Sequence, residues 1–198
     1  MEIEYSSEKK ELSPQEELLR VVRGVKAMGD GEPIYQDTTI DLEVCNPEDL
    51  HPSALYLLKS NMDFVEKMYK DLLTKGIDIL NLDQIVEAEG YVIAPPVVEI
   101  WDGQAVIVDG IHRIAMARKM GVSIKVIVVS GVRENRPLIS YPVEWKEVIT
   151  YDTKPEKAEL LRKMRIDNQD TVSKLKCFRD FTPLTKKENR RPLSWETR

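Results

Sequence analysis

At 198 residues the chain has room for one good hydrophobic core and an appendage. Its composition, 42% hydrophobic and 32% charged, is that of a soluble globular protein, and no apolar run approaches the roughly 18–20 residues needed to span a bilayer. The net charge of −5 hides an asymmetry: residues 154–198 carry 13 Lys/Arg against 7 Asp/Glu (+6), leaving 16 against 27 (−11) over 1–153. An acidic body disfavours broad adhesion to nucleic acid, whereas the basic stretch can reach DNA phosphates or an acidic partner.

The start, Met1-Glu-Ile-Glu-Tyr-Ser-Ser-Glu8, is acidic and lacks an apolar segment, so no secretory signal is expected. Residues 1–12 are polar and expected to be loose. Ser13-Pro14-Gln15-Glu16 is a capping box with proline at the first helical position. It predicts a helix over 14–28 with a stripe of Leu18, Leu19, Val22, Val25 and Met28, stopped by Gly29-Asp30-Gly31. Alternation over 38–44 predicts a half-buried strand, and Asn46 to Pro52 a two-proline loop. A helix is expected over 62–75, capped by Ser60 or Asn61, with Phe64, Val65, Met68, Leu72 and Leu73 inward and Gly76 as terminator.

Ile79, Leu82, Ile85 and Val86 are spaced for a short helix within 77–90. Val97 to Trp101 and Gln104 to Val108 flank Asp102-Gly103, the strongest local signal for a hairpin. On that hairpin Glu99 is expected to face solvent and Trp101 to pack on the sheet edge. A helix over 111–120, with Met116 and Met120 inward, ends at Gly121, and Ile124 to Val129 returns as a buried strand. Beyond Arg133 prolines break the pattern. Glu156 to Arg165 is a helix candidate, and 184–198 has no core of its own. Cys45 and Cys177 are far apart without C-x-x-C spacing, which fits reduced thiols in a cytoplasmic protein. With only His51 and His112, no histidine-built metal site is expected.

The richest stretch is 105–121, where an apolar strand runs into Asp109-Gly110 and His112 and Arg113 open the next helix. Such a junction aims backbone N–H groups and a positive dipole end at one point, and basic residues in the first turn call for an anionic ligand, phosphate first. Gly110 permits a sharp turn and a close ligand approach. Arg113 can offer a planar fork to phosphate oxygens, and His112 can donate to an oxygen or shuttle a proton. Asp109 can orient His112, hold a divalent cation or accept a hydroxyl proton. The competing structural reading makes Asp109 a helix cap and Arg113 a partner of a surface carboxylate.

Asp109-Gly110-Ile111-His112-Arg113, followed by Ala115, Ala117 and Gly121, resembles the D-G-x-H-R…A…G signature of the ParB/sulfiredoxin superfamily. The run Pro96-Val97-Val98, Asp102-Gly103, Val106 to Gly110 is similar to that family's hairpin, and the likeness covers about 38–130. The resemblance implies a compact α+β or α/β fold, a small mixed sheet flanked by helices, with an N-terminal helix and a basic C-terminal extension. It divides the chain into an N-terminal extension (1–36), a nucleotide-binding core (37–132) and a C-terminal extension (133–198). It further implies nucleotide phosphates over Gly110, Ile111, His112 and Arg113, the nucleotide being ATP, ADP or CTP, with Mg²⁺ bridging the phosphates.

Members of the superfamily diverge in activity. Ile111 stands where sulfiredoxins need cysteine, which sets that chemistry aside. Ile111 and His112 also depart from the G-E-R-R of partition proteins. The motif is most similar to D-G-H-H-R of free-serine kinases, differing at Ile111. That likeness implies phosphoryl transfer to a small hydroxyl-bearing substrate, with Asp109, His112 and an acidic loop residue, Glu48 or its neighbour Asp49, as catalytic groups. In this picture Arg113→Ala costs nucleotide binding about 1.5–3 kcal/mol. The alternative is a non-catalytic, nucleotide-gated or DNA-associated module whose basic tail contacts DNA. Oligomeric state is left open.

Overall fold

The computed structural model describes residues 12–27, 32–54, 56–133, 144–155 and 179–184. Helix α1 spans Pro14–Arg23, entered through the expected capping box: the Ser13 hydroxyl accepts from the Glu16 N–H, and the Glu16 carboxylate accepts from the Ser13 N–H. It stops at Gly24, short of the expected residue 28, because the chain turns into a two-residue strand, β1 (Lys26–Ala27). Leu18 and Val22 are buried as the stripe predicts, whereas Met28 lies outside the described residues.

Strand β2 (Thr39–Cys45) leads to a 3-10 turn at Pro47–Asp49, begun by the Asn46 side chain accepting from the Glu48 N–H, and then to β3 (Leu50–His51). After β4 (Tyr56–Leu58), helix α2 runs from Lys59 to Leu73. It begins earlier than expected, straight out of a strand and without a side-chain cap. Val65 and Leu72 are buried, but Phe64 and Leu73 are exposed, so the inward face is narrower than the apolar spacing suggested.

The expected helix within 77–90 is absent. That stretch is loop, and its end joins a small hairpin of β5 (Val86–Ala88) and β6 (Tyr91–Ile93) turned at Glu89-Gly90, both with positive φ. Ile79 and Leu82 are nevertheless buried. Their spacing serves loop side chains dipping into the core, which helical periodicity cannot distinguish over so short a run.

β7 (Val97–Trp101) and β8 (Gln104–Asp109) form the expected hairpin, with Asp102 and Gly103 both at positive φ as a primed turn requires. Helix α3 (Ile111–Met120) and strand β9 (Ile124–Ser130) follow with the expected placement. Met116 is buried, but Met120, in the last turn, is exposed. Beyond the core, β10 (Ile149–Tyr151) pairs parallel with β4, and β11 (Arg179–Asp180) pairs antiparallel with β1. The helix candidate over 156–165 lies outside the described residues.

The main sheet is mixed, in the order β2-β9-β7-β8-β3, with β9 and β8 on either side of a central β7. β7 runs parallel to β9 and antiparallel to β8, while β3 joins β8 in parallel. Val98, Ile107 and Val126 pack with residues of α2 and α3 on one face; Val97, Ile127 and Val129 pack with Leu18, Val22, Tyr35 and Leu184 on the other. The architecture is therefore α+β, a small mixed sheet flanked by helices. Each fully buried side chain of the Leu18 or Val22 kind contributes about 1.5–3 kcal/mol relative to exposure. None of the described helices is long and apolar enough to cross a membrane.

Glu99 overturns the expectation that it faces solvent: it is 0% exposed. Its carboxylate accepts from Arg179 Nε at 2.6 Å and Nη2 at 2.8 Å, from Trp101 Nε1 at 2.7 Å, and from the Tyr35 hydroxyl. Alternation fails here because β7 is central and covered on both faces. Burial, then the nearby Glu99 charge, holds the Tyr35 pKa well above its ordinary value. Burial alone would lower that of Arg179, but its bonds to Glu99 raise it on balance. Replacing Glu99 by Leu strands a buried guanidinium and should lower unfolding free energy by about 3–5 kcal/mol in urea titration. A loss below about 1 kcal/mol, the scale of a surface pair, would contradict the structural weight given to this carboxylate.

Candidate functional site

The junction between β8 and α3 is built on two local features. Gly110 adopts the left-handed conformation (φ 77°, ψ 20°) and serves as the residue before the helix, with no side chain to cap it. A Cβ added there would sit 2.7 Å from the Pro96 Cβ and 3.0 Å from its Cα. The missing side chain therefore makes room for Pro96, immediately upstream of β7, rather than for a ligand. Pro96 is held in turn by its carbonyl, which accepts from the Ile127 N–H at 2.8 Å.

The motif residues converge on a cleft of about 440 Å³ lined by Ile107 to Arg113 together with Ser53, Val65 and Met68. The first turn of α3 contains no acidic residue. Within it the Arg113 N–H bonds back to the Gly110 carbonyl at 3.0 Å, and the Gly110 N–H is directed to the Asp109 carboxylate. Of the four expected phosphate binders, these two amides are engaged locally. The Ile111 N–H stands at the helix start, where intrahelical acceptors are lacking, and His112 lines the cleft beside it.

Arg113 is anchored. Its Nη1 donates to the Ala94 carbonyl, its Nη2 lies 3.9 Å from Asp109 Oδ2, and its side chain is only 12% exposed. The guanidinium thus braces the approach to β7 against α3 and lends its charge to the cleft through Asp109. Burial pushes the Asp109 carboxyl above its ordinary value of 3.8, against the Arg113 charge and the Gly110 N–H, which pull it down. The side chain is still 42% exposed, so the raised carboxyl faces the cleft and is not sealed.

Glu48 is not brought to this cleft. It pairs with Arg118 Nε at 2.9 Å near the far end of α3, where the Arg118 guanidinium also lies 5.4 Å over the Trp145 ring. Trp145 Nε1 donates to the Pro47 carbonyl at 2.9 Å, which locks the turn carrying Glu48 in place. Asp49, on the same turn, does not line the cleft either. Ser53, Val65 and Met68 enter the site without having been read as site residues. Ser53 comes from the loop after β3 and the other two from the buried face of α2, so no local signal marked them. Cys45 is partly buried with a free thiol, its pKa raised by burial and by Glu43 and Asp49; Cys177 lies outside the described residues.

A roomier hollow of about 540 Å³ lies between α2 and the β5–β6 turn, with Phe64, Met68, Lys75, Glu89 and Tyr91 in its lining. Size favours it, chemistry does not. Two of its charged residues, Lys75 and Glu89, pair with each other, and it holds none of the motif residues. The smaller cleft joins a helix N-terminus, a raised carboxyl and a histidine. Among the described residues no three His, Cys, Asp or Glu side chains are grouped to hold a metal ion. A divalent ion there would be held chiefly by phosphate oxygens and water, with Asp109 as the carboxylate at hand.

A mixed α+β domain with a strand–glycine–helix junction opening on a cleft is the class these features define. The family model for the ParB CE domain matches residues 17–149, more than half of the chain, and the protein belongs to that family. The match takes in part of α1 and reaches β10. Among solved structures, the C2221 form of a Pnob8-like ParB-N domain is similar at 18% identity over 48% of this chain and 31% of that one, with a TM-score of 0.27. The chain thus spans about a third of the length of the solved chain it matches. No curated protein sequence matches.

Gly110→Ala combines a left-handed φ with the Pro96 clash, and should destabilise by about 2 kcal/mol or more. Removing the obstructing ring, in Gly110→Ala with Pro96→Gly, should cost less than the sum of the two single changes. Simple additivity in denaturant midpoints would rule out the close approach.

A second expectation concerns pH. An acid whose pKa is higher folded than unfolded binds more protons when folded, so its contribution to stability declines as pH rises from 3.8 toward the raised value. Asp109→Asn removes that decline. The melting temperature of the variant relative to wild type should therefore climb across this interval and level off above it. A relative value that falls with rising pH would show that the Arg113 attraction outweighs burial.

Proposed function

We propose that the protein binds the phosphates of a nucleotide at the β8–α3 junction, as a ParB-like nucleotide-binding domain. The observation that carries this reading is the convergence of His112, the Ile111 amide and the Asp109–Arg113 pair on one cleft at a helix start free of acidic residues. Phosphate oxygens suit such a place because the helix dipole and unsatisfied N–H groups favour negative charge. The resemblance of the motif to nucleotide-binding relatives points the same way, with ATP, ADP or CTP as the ligand. Mg²⁺ bound with the nucleotide would neutralise phosphate charge.

In the catalytic form of the reading, the acceptor is a small hydroxyl compound such as free serine. Asp109, whose raised pKa suits a proton acceptor, takes the hydroxyl proton. The hydroxyl oxygen forms a bond to the terminal phosphorus as the bond to the bridging oxygen breaks, and the shortened nucleotide leaves. His112 stabilises charge on the transferring group. Arg113 acts by holding Asp109 and the helix start. It reaches phosphate directly only by releasing the Ala94 carbonyl.

The Glu48–Arg118 ion pair favours a second reading, a non-catalytic nucleotide-gated or DNA-associated module, because it keeps the expected acidic catalytic residue away from the cleft. DNA contact would use the basic C-terminal stretch, although Arg179, one of its cations, is committed to Glu99.

Thermal-shift measurement with ATP, ADP, CTP and GTP, with and without Mg²⁺, should raise the melting temperature for the true nucleotide. Calorimetry on His112→Ala should then show binding weakened by about 1.5–3 kcal/mol, the scale of a hydrogen bond to a charged group. A flat response to all four nucleotides would reject the reading. Binding without turnover of ATP or of ADP in the presence of free serine would select the non-catalytic form.

A further inference from the structure

Residues 179–184 lie beyond the ParB CE match, yet they reach the middle of the domain. β11 pairs with β1, the turn at Thr182–Leu184 is started by the Asp180 carboxylate accepting from the Thr182 N–H at 3.0 Å, and Leu184 is buried at 2% exposure. Arg179 supplies two of the hydrogen bonds that satisfy Glu99. The same packed cluster that receives Leu184 also contains Ala94 and Val97.

Those two residues do not line the cleft, but each holds a residue that does. The Ala94 carbonyl anchors Arg113, Pro96 fills the space beside Gly110, and Val97 pairs with Asp109 across a register shift between Val97 and Val98. Glu99, two residues along the same strand, is the point at which Arg179 holds β7. From Arg179 to the cleft the physical chain is thus short: a buried ion pair, one strand, and the three contacts made by Ala94, Pro96 and Val97.

We propose that the 179–184 segment is an intramolecular strap whose docking sets the geometry of the Asp109–Arg113 cleft, so that strap docking and ligand binding favour each other. As an effect on nucleotide affinity this rests on the function proposed above; as an effect on the cleft backbone it does not. A ligand that binds the strapped form better must, by linkage, also stabilise the strap. The match to the family model ends at residue 149, before the strap begins.

Hydrogen exchange on the full chain tests it, comparing wild type with Arg179→Gln, with the charge-retaining Arg179→Lys, and with the milder Leu184→Ala. Amides of α2 serve as the reference for global unfolding. Relative to them, the amides of Arg113 and Ile114, which both donate to the Gly110 carbonyl, should exchange about three- to tenfold faster in Arg179→Gln, a coupling of ordinary size, with partial recovery in Arg179→Lys. Loosening confined to 26–40 and 179–184, with Arg113 and Ile114 unchanged, would overturn the proposal. Should Arg179→Gln fail to fold, Leu184→Ala decides on the same readout.

The nucleotide arm separates the two proposals. A wild-type protein that binds a nucleotide should lose about three- to tenfold in affinity in the strap variants, and unchanged affinity would count against the strap. A wild type that binds none would overturn the proposed function, leaving the strap to the exchange result.

Discussion

The backbone of Gly110 approaches Pro96 so closely that even a methyl group has no place between them. That approach fixes where β8 ends, where α3 begins and which way its first turn points, because the left-handed glycine and the proline ring define one another's position. Arg113 reinforces it from the helix side through the Ala94 carbonyl, and the Ile127 amide reinforces it from β9 through Pro96. The helix start is thereby held by contacts on its own backbone and on the strand behind it. The Ile111 amide and His112, on that first turn, share its fixed position.

Behind the junction, a single buried carboxylate gathers the chain. Glu99 joins a residue before the sheet (Tyr35), a neighbour on its own strand (Trp101) and a residue far downstream (Arg179). A buried pair of this kind is no guarantee of net stability, since its desolvation is costly. Its effect is specificity: every partner must be in place or the charge is stranded. The junction meets the start of β7 through Pro96 and Val97, and the C-terminal segment meets the same strand at Glu99.

Much of the site was readable because its determinants are local. Asp102-Gly103 specifies a primed turn, Gly110 and Gly121 bracket α3, and the capping box opens α1, each through chemistry confined to a few residues. What could not be read depends on distant partners. Glu99 sits in an alternating strand and looks solvated until Arg179 arrives from 80 residues away. Ile79 and Leu82 have helical spacing but serve a loop that dips into the core, and α1 ends early because β1 needs its partner β11. The pairing of Glu48 with Arg118 is equally invisible in the sequence, because the turn and the helix meet only in three dimensions. The smallness of Gly110 accommodates Pro96, a partner 14 residues upstream that no local signal reveals.

The claim on which this account turns is that the first turn of α3 receives phosphate oxygens. Amide nitrogen and proton shifts during titration with Mg²⁺-free ATP, and separately with inorganic tripolyphosphate, report on it directly, because a new acceptor moves the resonance of the N–H that donates to it. With phosphate bound at this turn, the largest shifts fall on Ile111 and His112, with smaller ones at Asp109 and Arg113. Saturating ligand that leaves those amides unmoved, or shifts clustered instead around the hollow between α2 and the β5–β6 turn, would contradict it.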